Sequence, residues 1–119
     1  MSNKLDISVV VPLYNEEESL PELVAWIDRV AKAESLSYEI VMIDDGSNDN
    51  SWAEVERLKS LYPTIKGIRF GRNYGKSAAL YCGFAEAEGE VVFTMDADLQ
   101  DSPDEIPEMR RMILEDGYD

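Results

Sequence analysis

The sequence predicts an α/β fold: a parallel sheet with helices packed on both of its faces. Two observations carry this. Short apolar runs rich in β-branched residues alternate with segments of helical periodicity, in the order β-α-β-α-β-α-β-α. The runs themselves are nearly continuous in apolar residues, as expected of strands covered on both sides. In such sheets ligands bind outside the C-terminal ends of the strands, so the segments following each run are where function is expected.

The first strand is predicted over Ile7–Leu13, ISVVVPL, stopped by Pro12 near its end. After the loop Tyr14-Asn15-Glu16, Ser19 and Glu22 have the spacing of a capping box. Leu20, Leu23, Val24 and Ile27 then recur at helical spacing, to about Lys32. Tyr38–Ile43 is the second strand, followed by Asp44-Asp45-Gly46-Ser47. Ser51 and Glu54 are expected to cap a helix with the stripe Trp52, Val55, Leu58 and Tyr62, ended by Pro63. Ile65–Phe70 is a third strand and 71–75 a loop. A helix is expected over Lys76–Glu88, closed by Gly89. Val91-Val92-Phe93 reads as a buried strand leading into Asp96-Ala97-Asp98. The last helix is predicted from Pro103 to about Asp116, with Ser102 as N-cap, Glu105 closing a capping box and Gly117 as the stop.

The 119 residues allow one domain at most, below the usual size of an α/β enzyme. A net charge of −14 argues against nonspecific nucleic-acid binding and against attraction to an anionic membrane surface. Histidine is absent, which removes Ser-His-Asp and Cys-His nucleophilic sites and His-ligated zinc. The single cysteine, Cys82, lies in an apolar helical pattern and is expected to be buried. No apolar run approaches the roughly 20 residues of a membrane span, and no signal peptide is visible, so a cytoplasmic protein is expected.

Asp96 and Asp98 flank the small Ala97, and on a strand carboxylates two apart share a face. Hard oxygens suit Mg²⁺ or Mn²⁺, ions that usually share their coordination with substrate phosphates. A solvated acidic turn is the other reading of such a short motif. Charge placement bears on the choice. Residues 61–85 contain no acidic side chain but hold Lys66, Arg69, Arg72 and Lys76. Arg72 and Lys76 flank a glycine-bearing loop at a helix N-terminus, where free amides and the helix dipole favour an anion. The spacing argues against a P-loop: Gly71 and Gly75 enclose three residues where four are needed.

With Val11-Pro12-Leu13-Tyr14-Asn15-Glu16, Ile43-Asp44-Asp45-Gly46-Ser47, Arg72-Asn73-Tyr74-Gly75-Lys76 and Asp96-Ala97-Asp98-Leu99-Gln100 in this order, the chain resembles the N-terminal, nucleotide-binding half of family-2 inverting glycosyltransferases. The likeness runs from Ile7 to Asp119 and is nearest to the polyprenyl (dolichyl) phosphate mannosyl- and glucosyltransferase branch. It implies a Rossmann-like GT-A fold, truncated, with residues 1–119 holding the nucleotide-sugar and the acceptor half lying outside this chain. Pro12, Tyr14 and Glu16 match the loop that holds base and ribose, with Asn15 structural. Ile43 and Asp45 match the base edge, where Asp45 would accept from a ring N–H, and Asp44 would fix the loop. Lys76 is placed near the phosphates. Asp96, Ala97 and Asp98 match the metal-diphosphate motif, with Gln100 as a third ligand to Mg²⁺ or Mn²⁺.

The implied reaction moves a hexose from a UDP- or GDP-sugar to a polyprenyl phosphate or glycan acceptor with inversion, assisted by the metal. The partners implied are that donor and that acceptor, no nucleic acid, membrane association through a further C-terminal region at the cytoplasmic face, and homo-oligomers. A P-loop-like NTPase or a nonenzymatic nucleotide-binding module is the alternative. Trp26 and Trp52 are assigned to packing. The chain alone is expected to bind nucleotide weakly, to self-associate and to transfer little sugar.

Overall fold

A computed structural model of the protein describes residues 4–116. Its elements are β1 (Leu5–Leu13), α1 (Leu20–Ala33), β2 (Tyr38–Asp44), α2 (Ser51–Leu61), β3 (Ile65–Arg69), α3 (Lys76–Glu86), β4 (Gly89–Thr94), a 3₁₀ turn (Pro103–Glu105) and α4 (Ile106–Asp116). The sheet runs β3-β2-β1-β4 with every pairing parallel. The predicted stop at Gly117, with Tyr118 and Asp119, lies outside the described residues.

Two apolar layers explain the helices on both faces. Ile7, Val9 and Val11 of β1 and Ile40 and Met42 of β2 pack with Leu20, Leu23, Val24 and Ile27 of α1, Val55 and Leu58 of α2 and Ile106 of α4. On the other face Val10, Val41 and Ile43 meet Ala79 of α3. The four α1 side chains are fully buried, each worth about 1.5–3 kcal/mol relative to exposure. Trp52 packs against the first layer, as predicted, with Arg69 over its ring, and the Trp26 indole N–H donates to Asp104 Oδ1 at 2.9 Å.

Four local expectations are corrected. β4 is covered on one face only: Val91 and Phe93 are buried, while Glu90, Val92 and Thr94 are exposed, because α3 lies over β1 and β2. Helix α3 ends at Glu86 and Gly89 opens β4. Gly89 is no helix cap: its role is close approach, since a Cβ there would stand 2.5 Å from Ile7 C and Ser8 N. Cys82 is only half-buried. None of the three capping boxes forms, because each serine side chain or helix start is engaged otherwise. Ser19 Oγ donates to the Ala97 carbonyl, Ser51 Oγ accepts from Glu16 N at 2.9 Å, and Pro103–Glu105 is a 3₁₀ turn.

A buried polar cluster closes the sheet at its N-terminal end. Glu39, 2% exposed, accepts from Ser8 Oγ at 2.5 Å and from Glu88 N at 2.6 Å, and faces the Lys66 ammonium at 2.8 Å. Ser8 Oγ in turn accepts from Gly89 N at 2.7 Å. Burial alone would push the Glu39 carboxyl up. The Lys66 ammonium with the Ser8 and Glu88 hydrogen bonds outweighs it and holds the group below its ordinary value.

Candidate functional site

The site begins with a missing hydrogen bond. Val10 O accepts from Met95 N at 3.0 Å, the last rung between β1 and β4. The next rung toward β4 would need an N–H from residue 12, and Pro12 has none. The two strands separate there, while β1 continues beside β2 to the pair Leu13–Asp44. Because β2 lies on one side of β1 and β4 on the other, this opening is the topological switch point of the sheet, the expected crevice for a ligand.

Four loops meet above it and are tied to one another. Asn15, with φ +54°, donates its N–H to Ser47 Oγ at 2.8 Å and accepts from Asn48 N at 2.8 Å, the structural role the sequence suggested. Asp44 Oδ1 takes Ser47 N at 2.8 Å and fixes its own turn. Gly46, with φ +77°, lies so close to the neighbouring loop that a Cβ would stand 2.3 Å from Arg72 C. Ser19 links the first loop to the fourth through Ala97 O.

Asp45 is the strongest of these ties. Only 6% exposed, it accepts from Tyr74 N at 2.7 Å, from Gly75 N at 3.0 Å and from the Asn73 side-chain amide at 3.2 Å. The loop before α3 is therefore an anion site, as its glycines and helix N-terminus suggest, and the anion it holds is Asp45. The expected free amides at Tyr74 and Gly75 are taken, which removes the means by which a P-loop would cradle a phosphate.

The resulting cleft of about 140 Å³ is lined by Pro12, Leu13, Tyr14, Asp45, Lys76 and Asp96. Tyr14 is 42% exposed, and its hydroxyl accepts from Asn48 Nδ2 at 3.1 Å, which fixes the ring at the cleft wall. Lys76, the first residue of α3, reaches across to Asp96 Oδ1 at 2.6 Å. Hydrogen bonding and charge from Asp96, with a smaller contribution from Asp101 and Asp98, raise the Lys76 ammonium above its ordinary pKa. A larger groove of about 470 Å³ shares Tyr14 and runs past Gly46, Ser47, Phe70 and Arg72. There the Arg72 guanidinium stands 4.7 Å from the centre of the Tyr74 ring.

The structure thus gathers Pro12, Tyr14, Asp45, Lys76 and Asp96 at one opening, and leaves the other predicted residues outside its lining. Ile43 is fully buried under α3, so its side chain is core. Glu16 is half-buried with Ser19 Oγ 3.3 Å from its carboxylate, and lines a separate hollow with Glu17, Glu18 and Asp49. Ala97 is 3% exposed and offers its carbonyl to Ser19. Asp96 and Asp98 do not share a strand face, because β4 ends at Thr94 and both lie in the turn beyond it. Asp98 is exposed and accepts from Gln100 N at 3.2 Å, while Gln100 points to a separate hollow with Phe93 and Met109. Leu99, with φ +68°, turns the chain between them.

Among the described residues no group of three or more carboxylate or cysteine side chains is gathered as a metal cage. The donor chemistry nevertheless fits a divalent cation: Asp96 presents hard oxygens in an open cleft and already holds a cation there, the Lys76 ammonium. Sequence reasoning missed Asn73 as a brace and Asp101, whose Oδ2 accepts Asp96 N at 3.1 Å. Neither has a local pattern that sets it apart from an ordinary loop residue.

Residues 8–119 match the family model of glycosyl transferase family 2. The chain is 43% identical over 114 residues to an undecaprenyl-phosphate 4-deoxy-4-formamido-L-arabinose transferase of Proteus mirabilis (strain HI4320), covering 95% of this chain and 35% of that protein. It therefore spans about a third of the length of the curated relatives it matches. Among solved structures, the mannosyltransferase PcManGT of Pyrobaculum calidifontis, in complex with GDP-Man and Mn²⁺, superposes with a TM-score of 0.78 at 25% identity. That match covers 93% of this chain and 33% of the other. Residues 1–349 of S. aureus TarS, in complex with UDP-GlcNAc, give 0.76 at 27% identity, over 93% of this chain and 32% of that one. The sheet and its helices are the Rossmann-like GT-A arrangement of these neighbours.

Proposed function

The chain belongs to glycosyl transferase family 2, and on that premise we propose that it forms the donor-binding part of a transferase. The reaction moves a glycosyl group from a UDP- or GDP-sugar to a polyprenyl phosphate with inversion. The acceptor class rests on curated relatives named for undecaprenyl phosphate, and the donor class on neighbours solved with UDP-GlcNAc and GDP-Man. The observation that carries the reading is the cleft where β1 and β4 part, with an aromatic ring, an ammonium group and a carboxylate on its walls.

Each residue has work of a definite kind in this reading. The Tyr14 face stacks on the nucleobase, with Pro12 as the floor beside it. Glu16 accepts from ribose hydroxyls. Asp45 sets the loop that carries Lys76, and its remaining acceptor capacity faces the base edge. Lys76 donates to the diphosphate. Asp96 and Asp98 would hold Mg²⁺ or Mn²⁺, joined by Gln100 once its side chain turns out of the separate hollow it lines. When bound, such an ion acts as a Lewis acid toward the departing nucleoside diphosphate. A phosphate acceptor is largely ionised near neutral pH, with a second pKa of about 6, so no general base is required of these residues.

Titration of the chain by calorimetry with UDP- and GDP-sugars, with and without Mn²⁺, tests the reading. Metal-dependent binding of one nucleotide class is expected. No binding of any of them at millimolar concentration would overturn it.

A further inference from the structure

We infer that Lys76 is a latch on the metal-binding carboxylate: its ammonium occupies the cation position at Asp96 until a divalent ion displaces it, and the freed ammonium then passes to the donor's diphosphate. The inference deepens the donor-site reading above and rests on it.

Lys76 Nζ lies 2.6 Å from Asp96 Oδ1, and both side chains line one cleft. An ion bound to that oxygen at about 2.0–2.1 Å, the distance typical of Mg²⁺, would compete with the ammonium for the same lone pairs and repel its charge. The pair is also open to exchange. Its side chains are 61% and 43% exposed, and exposed ion pairs are weak. Asp98 and Asp101 add negative charge around the ammonium, a field in which a doubly charged ion has the advantage over a singly charged one.

The backbone beneath Lys76 does not have to move for this exchange. Asp45 holds Tyr74 N and Gly75 N, so the residue before the latch is anchored and only the flexible four-carbon side chain swings. Once displaced, the ammonium leaves a carboxylate and needs another anion within its reach. A diphosphate in the cleft supplies it. Metal alone therefore binds against the latch, and metal with nucleoside diphosphate binds with its help. The two ligands are coupled through one side chain.

The test uses the 119-residue chain with Mn²⁺ and either UDP or GDP as probes. Free Mn²⁺ is read from its paramagnetic resonance signal and nucleotide binding by calorimetry. Lys76→Met should bind Mn²⁺ alone up to about fivefold more tightly, the range open to an exposed ion pair. The same variant should bind the nucleoside diphosphate in the presence of Mn²⁺ about tenfold more weakly, as expected for one lost charged hydrogen bond. Lys76→Gln should shift both in the same directions, which guards against an effect peculiar to methionine. Arg72→Met removes an equal charge from the same loop, from a side chain that stacks on Tyr74. It should leave the affinity for Mn²⁺ alone nearly unchanged. Opposite shifts of the two affinities in the Lys76 variants support the latch. An unchanged or weaker affinity for Mn²⁺ alone, or an equal gain from Arg72→Met, overturns the latch while the donor-site reading stands. Absence of Mn²⁺-dependent nucleotide binding in the wild-type chain overturns both.

Discussion

Replacing Asp45 by alanine removes the acceptor for two backbone N–H groups, Tyr74 at 2.7 Å and Gly75 at 3.0 Å, and for the Asn73 amide at 3.2 Å. Hydrogen bonds to a charged group are worth about 1.5–3 kcal/mol each. Tyr74 is 57% exposed, so water re-solvates part of the freed loop, and a net loss of about 2–4 kcal/mol is expected. Asp45→Asn keeps one acceptor oxygen and turns a donor toward the loop's own donors, so it should lose roughly half as much. Urea unfolding gives the stability change as a shift in midpoint at unchanged slope, and hydrogen exchange at Tyr74 and Gly75 reports the loop itself. The ligand consequence differs from the expectation drawn from sequence. There, losing Asp45 would weaken only nucleotides carrying a base. With the Lys76 loop loosened, ribose diphosphate should lose affinity as well, and any excess loss for UDP or GDP measures the contact with the base. A midpoint change worth less than about 0.5 kcal/mol, with exchange at both amides unaltered, would refute the bracing role.

Three further outcomes are expected. Glu39→Gln should destabilise the chain by about 1–3 kcal/mol near neutral pH, less than a fully buried pair because Lys66 is partly exposed. The Glu39 carboxyl is held below its ordinary 4.5, so its contribution is present above that pH and is lost as pH falls through the lower folded value. Acid unfolding of the variant should accordingly be less steep below about pH 4.5, and an unchanged slope would count against the cluster. Gly89→Ala forces a Cβ to within 2.5 Å of the β1 backbone and should cost about 1–3 kcal/mol, seen as a fall in Tm; a neutral effect would mean that β4 can shift freely. Asp98→Asn, at an exposed turn position, should leave Tm unchanged but abolish Mn²⁺-dependent binding of a nucleoside diphosphate. Retained metal dependence would remove Asp98 from the ligand set.

What the sequence alone determined is the order of elements and the edge at which the polar segments collect. Strand and helix periodicities are local properties: ISVVVPL and YEIVMI can be read without knowing their neighbours, and parallel pairing then puts the residues after Leu13, Asp44, Arg69 and Thr94 at one side. Pro12, Tyr14, Asp45, Lys76 and Asp96 were legible as a group for that reason. The tertiary structure alone decided what each polar group does there. Asp45 meets residues 28 to 30 positions away, Lys76 meets Asp96 at 20, Ser19 meets Ala97 at 78, and Gly89 meets Ser8 at 81. A carboxylate or hydroxyl offers the same acceptors whether it caps its own helix or braces a distant loop, so local spacing proposes capping boxes that long-range partners pre-empt. The same holds for the one-sided burial of β4 and for the turn that separates Asp98 from Asp96. Where a strand ends depends on which neighbour still has an N–H to give, and at Pro12 there is none.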